Sequence, residues 1–204
     1  MNKKDTVVFD LDGTLLDTLE DLKNSVNYAM TQCGYPEHTL DEVRRYVGNG
    51  ILLLMQRAIP GGKDDPNFDK AFTLFKEHYG KHCNDTTKPY AGIMELLHTL
   101  KENNIKIAIV SNKADFAVKE LNAIYFKDLI LVAIGEKESE GIRKKPAPDT
   151  VIEALKQLGS TAENSVYIGD SDVDIKTARN SGRTFHRRYP VSPRPALSSI
   201  LFPP

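Results

Sequence analysis

Two aspartates near the start of the chain, in Asp10-Leu11-Asp12-Gly13-Thr14, are spaced to share one task. On an extended backbone, residues two apart point to the same side, about 7 Å apart at ~3.3 Å per residue. Paired carboxylates repel, so the arrangement is unfavourable unless a cation lies between them or one of them takes a proton. A hard divalent ion such as Mg2+ takes oxygen ligands and keeps waters, which suits Asp10 giving a carboxylate and a nearby backbone carbonyl giving a second oxygen. For Asp-x-Asp-Gly alone, a capped turn closing a strand fits equally well.

Three further segments carry chemistry-bearing side chains. Gly169-Asp170-Ser171-Asp172-Val173-Asp174 lies where a strand becomes a helix. A helix starting near Ser171 puts Asp170 and Asp174 on one side and turns Asp172 away, into a position favoured by the helix dipole. Helix capping is the plainer use of these acids. Val110-Ser111-Asn112 ends another strand and offers a hydroxyl and backbone N–H groups to a phosphate, although Ser and Asn are also common helix caps. Arg143-Lys144-Lys145-Pro146-Ala147-Pro148-Asp149 sets a cation in a proline-stiffened loop. Proline restricts Lys145 to an extended backbone, which would aim its amine inward; a solvated basic loop is the alternative.

The elements that must position these groups follow from hydrophobic periodicity. Thr6 to Leu11 is a β-branched and aromatic run that ends in acids and Gly13, which predicts a buried strand delivering Asp10 at its end. From Asp17 the pattern turns helical, with Thr18-x-x-Asp21 as a possible capping box and Leu19, Leu22 and Val26 at helical steps. Helices are predicted at Leu40 to Tyr46, Ile51 to Ala58 and Asn67 to Gly80. After Pro89-Tyr90-Ala91-Gly92, helices at Ile93 to Asn103, Ala114 to Tyr125, Asp149 to Leu158 and Val173 to Asn180 alternate with strands at Ile105 to Val110, Ile130 to Ile134 and Val166 to Ile168. This alternation predicts an α/β fold, a Rossmann-like parallel sheet with helices on both faces. Ligands bind such sheets beyond the carboxyl ends of the strands, where Asp10, Ser111 and Asp170 fall. Residues 1–16 and 86–204 form the expected catalytic core, and 17–85 a small all-helical insert.

Composition narrows the partners. The chain has 204 residues and a net charge of -1, so no whole-chain field favours nucleic acid or anionic lipid. The apolar run before Asp10 is too short for a signal peptide or a membrane span, which makes a cytoplasmic location the expectation. Cys33 and Cys83 sit in no metal-ligand spacing and are expected to be reduced.

In order, Asp10-x-Asp12-Gly13-Thr14-Leu15-x-Asp17-Thr18, Ser111-Asn112, Lys145-Pro146-x-Pro148-Asp149 and Gly169-Asp170-x-x-x-Asp174 resemble the haloacid dehalogenase superfamily of phosphatases, from about Thr6 to Gly182. The helical insert resembles that superfamily's cap domain. Arg45-Tyr46-Val47-Gly48-Asn49-Gly50 and Tyr90-Ala91-Gly92 are similar to its phosphoglycolate phosphatase branch. The resemblance implies Mg2+-dependent hydrolysis of a small phosphomonoester, with 2-phosphoglycolate as the leading candidate. It implies Asp10 as nucleophile, giving an aspartyl-phosphate, and Asp12 as the group that protonates the leaving oxygen and then activates water. Mg2+ would be held by Asp10, the Asp12 carbonyl and Asp170, with Asp174 outside them or on a metal-bound water. Ser111, Asn112 and Lys145 would bind the phosphoryl oxygens, and Arg45 and Asn49 are candidate cap contacts. The cap would close over the site and select the substrate. A monomer or homodimer is expected.

From Arg183 the chain becomes basic and proline-rich with no period, where the family continues into an apolar edge strand. This predicts an altered C-terminus and a less well covered sheet edge. Alternatives to hydrolysis are a sugar-phosphate mutase of the same superfamily, which Thr14 disfavours, and a catalytically impaired interaction protein that keeps the motif residues. A receiver-type signalling module would need a phosphorylatable Asp ending the Ile105 to Val110 strand, and none is there.

Overall fold

A computed structural model describes residues 4–182 and the backbone of 184–187. The described residues up to Leu15 and from Pro89 onward form one compact unit, and Leu16–Lys88 forms another.

The first unit is built on β1, Thr6–Phe9, whose four residues are all buried. Burial on both faces explains why the strand reads as a continuous apolar run with no alternation. It lies between β4 (Lys106–Ala114) and β6 (Ser165–Gly169), with Val7 paired to Ile107 on one side and to Val166 on the other. β5 (Val132–Glu136) flanks β4 and β7 (Thr184–Arg187) flanks β6, giving the order β5-β4-β1-β6-β7. Each of these pairings is parallel. Helices α5 (Ile93–Glu102), α6 (Asp115–Tyr125), α7 (Asp149–Leu158) and α8 (Asp172–Asn180) make the connections. Val8, Ala108, Val110 and Tyr167 pack with Val151, Ala154 and Leu155 of α7 and Ala178 of α8. The alternate residues Val7, Phe9, Ile107 and Ile109 point the other way and are equally buried. Each large apolar side chain buried this way contributes about 1.5–3 kcal/mol. Because the chain order reverses at β1, the switch point falls between β1 and β6, where this architecture places ligands.

The tail departs from the sequence expectation. Thr184–Arg187 forms a fifth parallel strand beside β6, Val166 pairing with Thr184 and Gly169 with Arg187. Periodicity missed it because ladder pairing uses backbone groups, and a four-residue edge strand has too few side chains to show a period. The edge of β6 is therefore covered. The remainder of the proline-rich tail lies outside the described residues.

In the second unit, α1 (Leu19–Gln32), α2 (Leu40–Tyr46), α3 (Ile51–Ala58) and α4 (Phe68–His82) enclose a core of their own. Val26, Ala29 and Met30 of α1 meet Val43, Leu54, Met55 and Phe75 there, at the three- and four-residue steps that make one helical stripe. The chain enters by β2 (Leu16–Asp17) and leaves by β3 (Lys88–Pro89), and these two short strands pair. The capping box expected from Thr18 and Asp21 is not formed, since the Thr18 side chain makes no cap bond. Asp21 instead accepts hydrogen bonds from the amide and hydroxyl of both Thr86 and Thr87. Four donors converging on a carboxylate only 1% exposed outweigh one cap bond, because an unpaired buried charge is so costly. A capping box does form at α2, between Thr39 and Glu42. Neither Cys33 nor Cys83 is in a disulfide. Among the described residues, no helix is long and apolar enough to cross a membrane.

Candidate active site at the carboxyl ends of the strands

Asp10 directly follows β1, and its amide donates to the Ile168 carbonyl of β6 at 2.9 Å. Asp170 directly follows β6, so the parallel ladder itself sets the two acids side by side. Asp174 joins them from the first turn of α8, where Ser171 and Asp174 form a capping box. One carboxylate oxygen from each of Asp10, Asp170 and Asp174 lies within 4.8 Å of the others. Two glycines make room for this. A Cβ on Gly13, whose φ is +81°, would stand 2.5 Å from an Asp170 oxygen, and one on Gly169 would stand 2.4 Å from the Asp174 carboxyl carbon. Thr14 completes the turn, its hydroxyl 3.5 Å from both Asp10 and Asp170.

Two buried lysines divide the acids between them. Lys145 donates to Asp10 at 2.6 Å, to Asp174 at 2.8 Å and to the Tyr167 hydroxyl at 3.2 Å. Tyr167 in turn donates to Asp174 at 3.0 Å. Lys113 donates to Asp12 at 3.0 Å. Its side chain is 4% exposed, against 29% for that of Asp12.

The charges perturb one another in a definite pattern. Burial holds the Asp10 carboxyl well above the usual carboxylate range; the neighbouring Lys145 opposes this, while Asp174 and Asp170 reinforce it. Burial and the Asp174 charge also raise Asp170. Asp174 goes the other way: burial pushes it up, but the charge and hydrogen bond of Lys145, with bonds from Ser171, bring it below its ordinary value. Burial works against charge on Lys145, yet Asp10 and Asp174 hold its pKa well above that of a free lysine. Two carboxyls that resist ionisation next to a third that is fully ionised describe a cluster short of positive charge. The four aspartates against Lys145 and Lys113 leave a formal excess of two negative charges. An all-oxygen donor set with that deficit fits a hard divalent cation such as Mg2+.

The remaining residues singled out from sequence fall as follows. Ser111 is buried, and its hydroxyl accepts the Lys113 amide at 3.2 Å. Asn112 donates from its side chain to the Lys145 carbonyl at 3.1 Å, while its own carboxamide oxygen is buried without a hydrogen-bond partner. The structure thus brings Asp10, Asp170, Asp174 and Lys145 into one bonded cluster and links Asn112 to it. Asp174 lies within the carboxylate cluster, beside Asp10 and Asp170. Arg45, exposed in the last turn of α2, and Asn49, just before α3, belong to the helical unit. Sequence reasoning passed over Lys113 and Tyr167. Lys113 sits two residues beyond Ser111 in a strand that runs to Ala114, with a register shift between Val110 and Ala114. Tyr167 is a polar-tipped residue between the apolar Val166 and Ile168, and a buried Tyr hydroxyl needs a partner.

A family model described as haloacid dehalogenase-like hydrolase matches residues 7–187. A phosphoglycolate phosphatase of Aquifex aeolicus is 32% identical over 180 residues, which cover 86% of this chain and 80% of the relative. One from Pseudomonas putida is 31% identical and also aligns with 86% of this chain, but the alignment spans 66% of that protein, just under two thirds of its length. A crystal structure from Lactobacillus delbrueckii subsp. bulgaricus, provisionally assigned as a phosphoglycolate phosphatase, has a TM-score of 0.81 at 35% identity and covers 90% of this chain and 85% of its own. With the strand-end acids, the buried lysine and this match across nearly the whole described chain, the protein belongs to the haloacid dehalogenase-like hydrolases, as a phosphatase of that family.

Proposed function

We propose that the protein hydrolyses a small phosphomonoester, with 2-phosphoglycolate as the leading substrate, through an aspartyl-phosphate formed on Asp10. The observation that carries this reading is the Asp10 carboxylate at the end of β1, buried, with Lys145 on one oxygen at 2.6 Å and Asp170 and Asp174 beside it.

Asp10 would attack phosphorus as the bond to the alkoxide oxygen breaks. Asp12, half-buried at the edge of the cluster, would enter this step protonated and give its proton to that oxygen. In the second step a water would attack the phosphorus of the aspartyl-phosphate, Asp12 would take its proton, and the Asp10 carboxylate would leave as inorganic phosphate forms. Ser111, Asn112 and Lys145 would hold the phosphoryl oxygens, and fixed donors aimed where charge develops are the main means of accelerating such a transfer. Lys145 would also lower the cost of ionising Asp10 before attack. Asp10, Asp170 and the Asp12 carbonyl would hold Mg2+, with Asp174 next to them, and the ion would neutralise charge on the phosphoryl group and on the acid cluster. Selection among esters is assigned to the helical unit, with Arg45 and Asn49 as the residues to substitute. A small phosphate ester is the partner this chemistry requires, and the reading carries the expectation of a cytoplasmic enzyme.

The test is phosphate release from a panel of phosphomonoesters, with and without Mg2+, by the protein and by Asp10→Asn. Release that needs Mg2+ and is lost in the variant is expected. Equal release by the variant would sink the nucleophile assignment, and no release from any ester would leave an idle protein.

A further inference from the structure

Lys113 has no role in the reading above, yet its geometry is that of a built feature. Its ammonium is 4% exposed, and an ammonium is not left in such a place without a partner, because an unpaired buried charge is so unfavourable. It donates to Asp12 Oδ1 at 3.0 Å. The irregularity in β4 between Val110 and Ala114 lies where Lys113 turns toward that carboxylate, and re-aiming a side chain beside a site is a recurring use of such irregularities. The backbone of the same residue donates to the Ser111 hydroxyl at 3.2 Å. One residue therefore ties the carboxylate after β1 to the Ser111 hydroxyl of neighbouring β4, three residues before the end of that strand.

Asp12 needs such a tie. It follows Leu11 in a turn that passes through Gly13 at φ +81°, and its side chain is 29% exposed. Its charge is felt by Asp170 as a repulsion. A short acidic side chain in that position, pushed by the cluster and open to water, would spend its time turned outward. We propose that Lys113 is a positioning residue for Asp12: the buried ammonium donates to Oδ1 and holds the side chain at the edge of the site, in register with Ser111, so that Oδ2 carries the proton to the leaving oxygen of the bound ester and takes one back from water in the second step. This rests on Asp12 being the proton-handling group of the proposed function. Lys145 then serves the attacking carboxylate and Lys113 the proton-carrying one.

Leaving-group dependence separates this role from phosphate binding or simple support of the fold. An alkoxide such as that of glycolate needs a proton as it departs, whereas 4-nitrophenolate leaves without one. The value of kcat/KM reports steps only through formation of the aspartyl-phosphate, so the shared second step does not blur the comparison. For Lys113→Met, kcat/KM on 2-phosphoglycolate should fall by about 30- to 100-fold, the size of a lost or misplaced acid. On 4-nitrophenyl phosphate it should fall by no more than about 3-fold, since no acid is required there. Lys113→Arg, which keeps the charge, should recover part of the alkyl-ester rate. Added to Asp12→Asn, Lys113→Met should cost little more on either ester, because the two act as one unit.

Equal losses on both esters, or losses that multiply with those of Asp12→Asn, would overturn the proposal and make Lys113 a phosphate ligand or a structural residue. If Asp12→Asn itself shows no preference for the better leaving group, the assignment of Asp12 fails first and this inference with it. Thermal unfolding of each variant reports whether it folds. Should Lys113→Met not fold, Lys113→Gln, which keeps a donor at the site, carries the same comparison.

Discussion

Replacing Lys145 by methionine tests the electrostatics of the cluster without reference to catalysis. Its ammonium sits between Asp10 at 2.6 Å and Asp174 at 2.8 Å, and the Asp174 side chain is fully buried. Removing one member of a buried ion pair costs about 3–5 kcal/mol, because the other charge is left uncompensated. Here two carboxylates lose the same cation. Protonation limits the loss, since Asp10 already holds its proton more tightly than a free aspartate and each pH unit of that escape is worth about 1.4 kcal/mol. The expectation near neutral pH without divalent cation is therefore about 3 kcal/mol, or a melting temperature lower by roughly 6–12 °C for a chain of this size. The sign with pH follows from linkage. In the variant the folded-state pKa values of the carboxyls stand above their unfolded values. The missing stability is thus restored below the unfolded value near 4 and lost as pH rises through the folded one. Urea unfolding near neutral pH and near pH 5, with and without Mg2+, measures this directly. A variant within about 1 kcal/mol of the parent near neutral pH, or one that suffers more in acid, would refute this account of the cluster.

Other substitutions probe single links. Gly13→Ala forces a left-handed residue to carry a Cβ 2.5 Å from an Asp170 oxygen; the Mg2+ concentration needed for half-maximal phosphate release should rise by about 10-fold or more, as when support for a ligand is removed. Ser171→Ala removes the cap of α8, in which the hydroxyl bonds Asp174, and should lower unfolding free energy by about 1 kcal/mol in urea while Lys145 keeps Asp174 in place. In the helical unit, His78 stacks between Tyr28 and His82 with ring centroids 4.3 Å away on each side and bonds Ser25 at 3.0 Å. Burial and the charge of His82 lower its pKa. Its contribution is therefore complete above the unfolded value near 6.5 and declines as pH falls through the folded one. His78→Gln should flatten the loss of stability between neutral pH and about pH 5, read by urea midpoints.

What could be read from sequence depended on whether position along the chain determined position in space. Asp10 and Asp170 were legible because each ends an apolar run, and parallel strands bring such ends together. Lys145 was legible through its flanking prolines, although its partners Asp174 and Tyr167 come from other elements that only the fold assembles. Lys113 was not legible: the apolar run stops at Val110, which predicts a strand ending there, and nothing local says that β4 continues past an irregularity to aim a lysine at Asp12. Asp21 was misread as a cap because the competing donors, Thr86 and Thr87, are more than sixty residues away. β7 was missed for the opposite reason, since its place in the sheet rests on backbone pairing that leaves no mark in the residue pattern.

In the proposed reaction Asp10 carries the phosphoryl group between the two halves. Rapid acid quench during turnover of 2-phosphoglycolate with Mg2+, followed by mass analysis of the peptides, tests it most directly. One phosphoryl group is expected on the peptide containing Asp10 and none on that peptide from Asp10→Asn. Turnover with no phosphorylated peptide at any quench time, or a phosphoryl group found on a different residue, would contradict it.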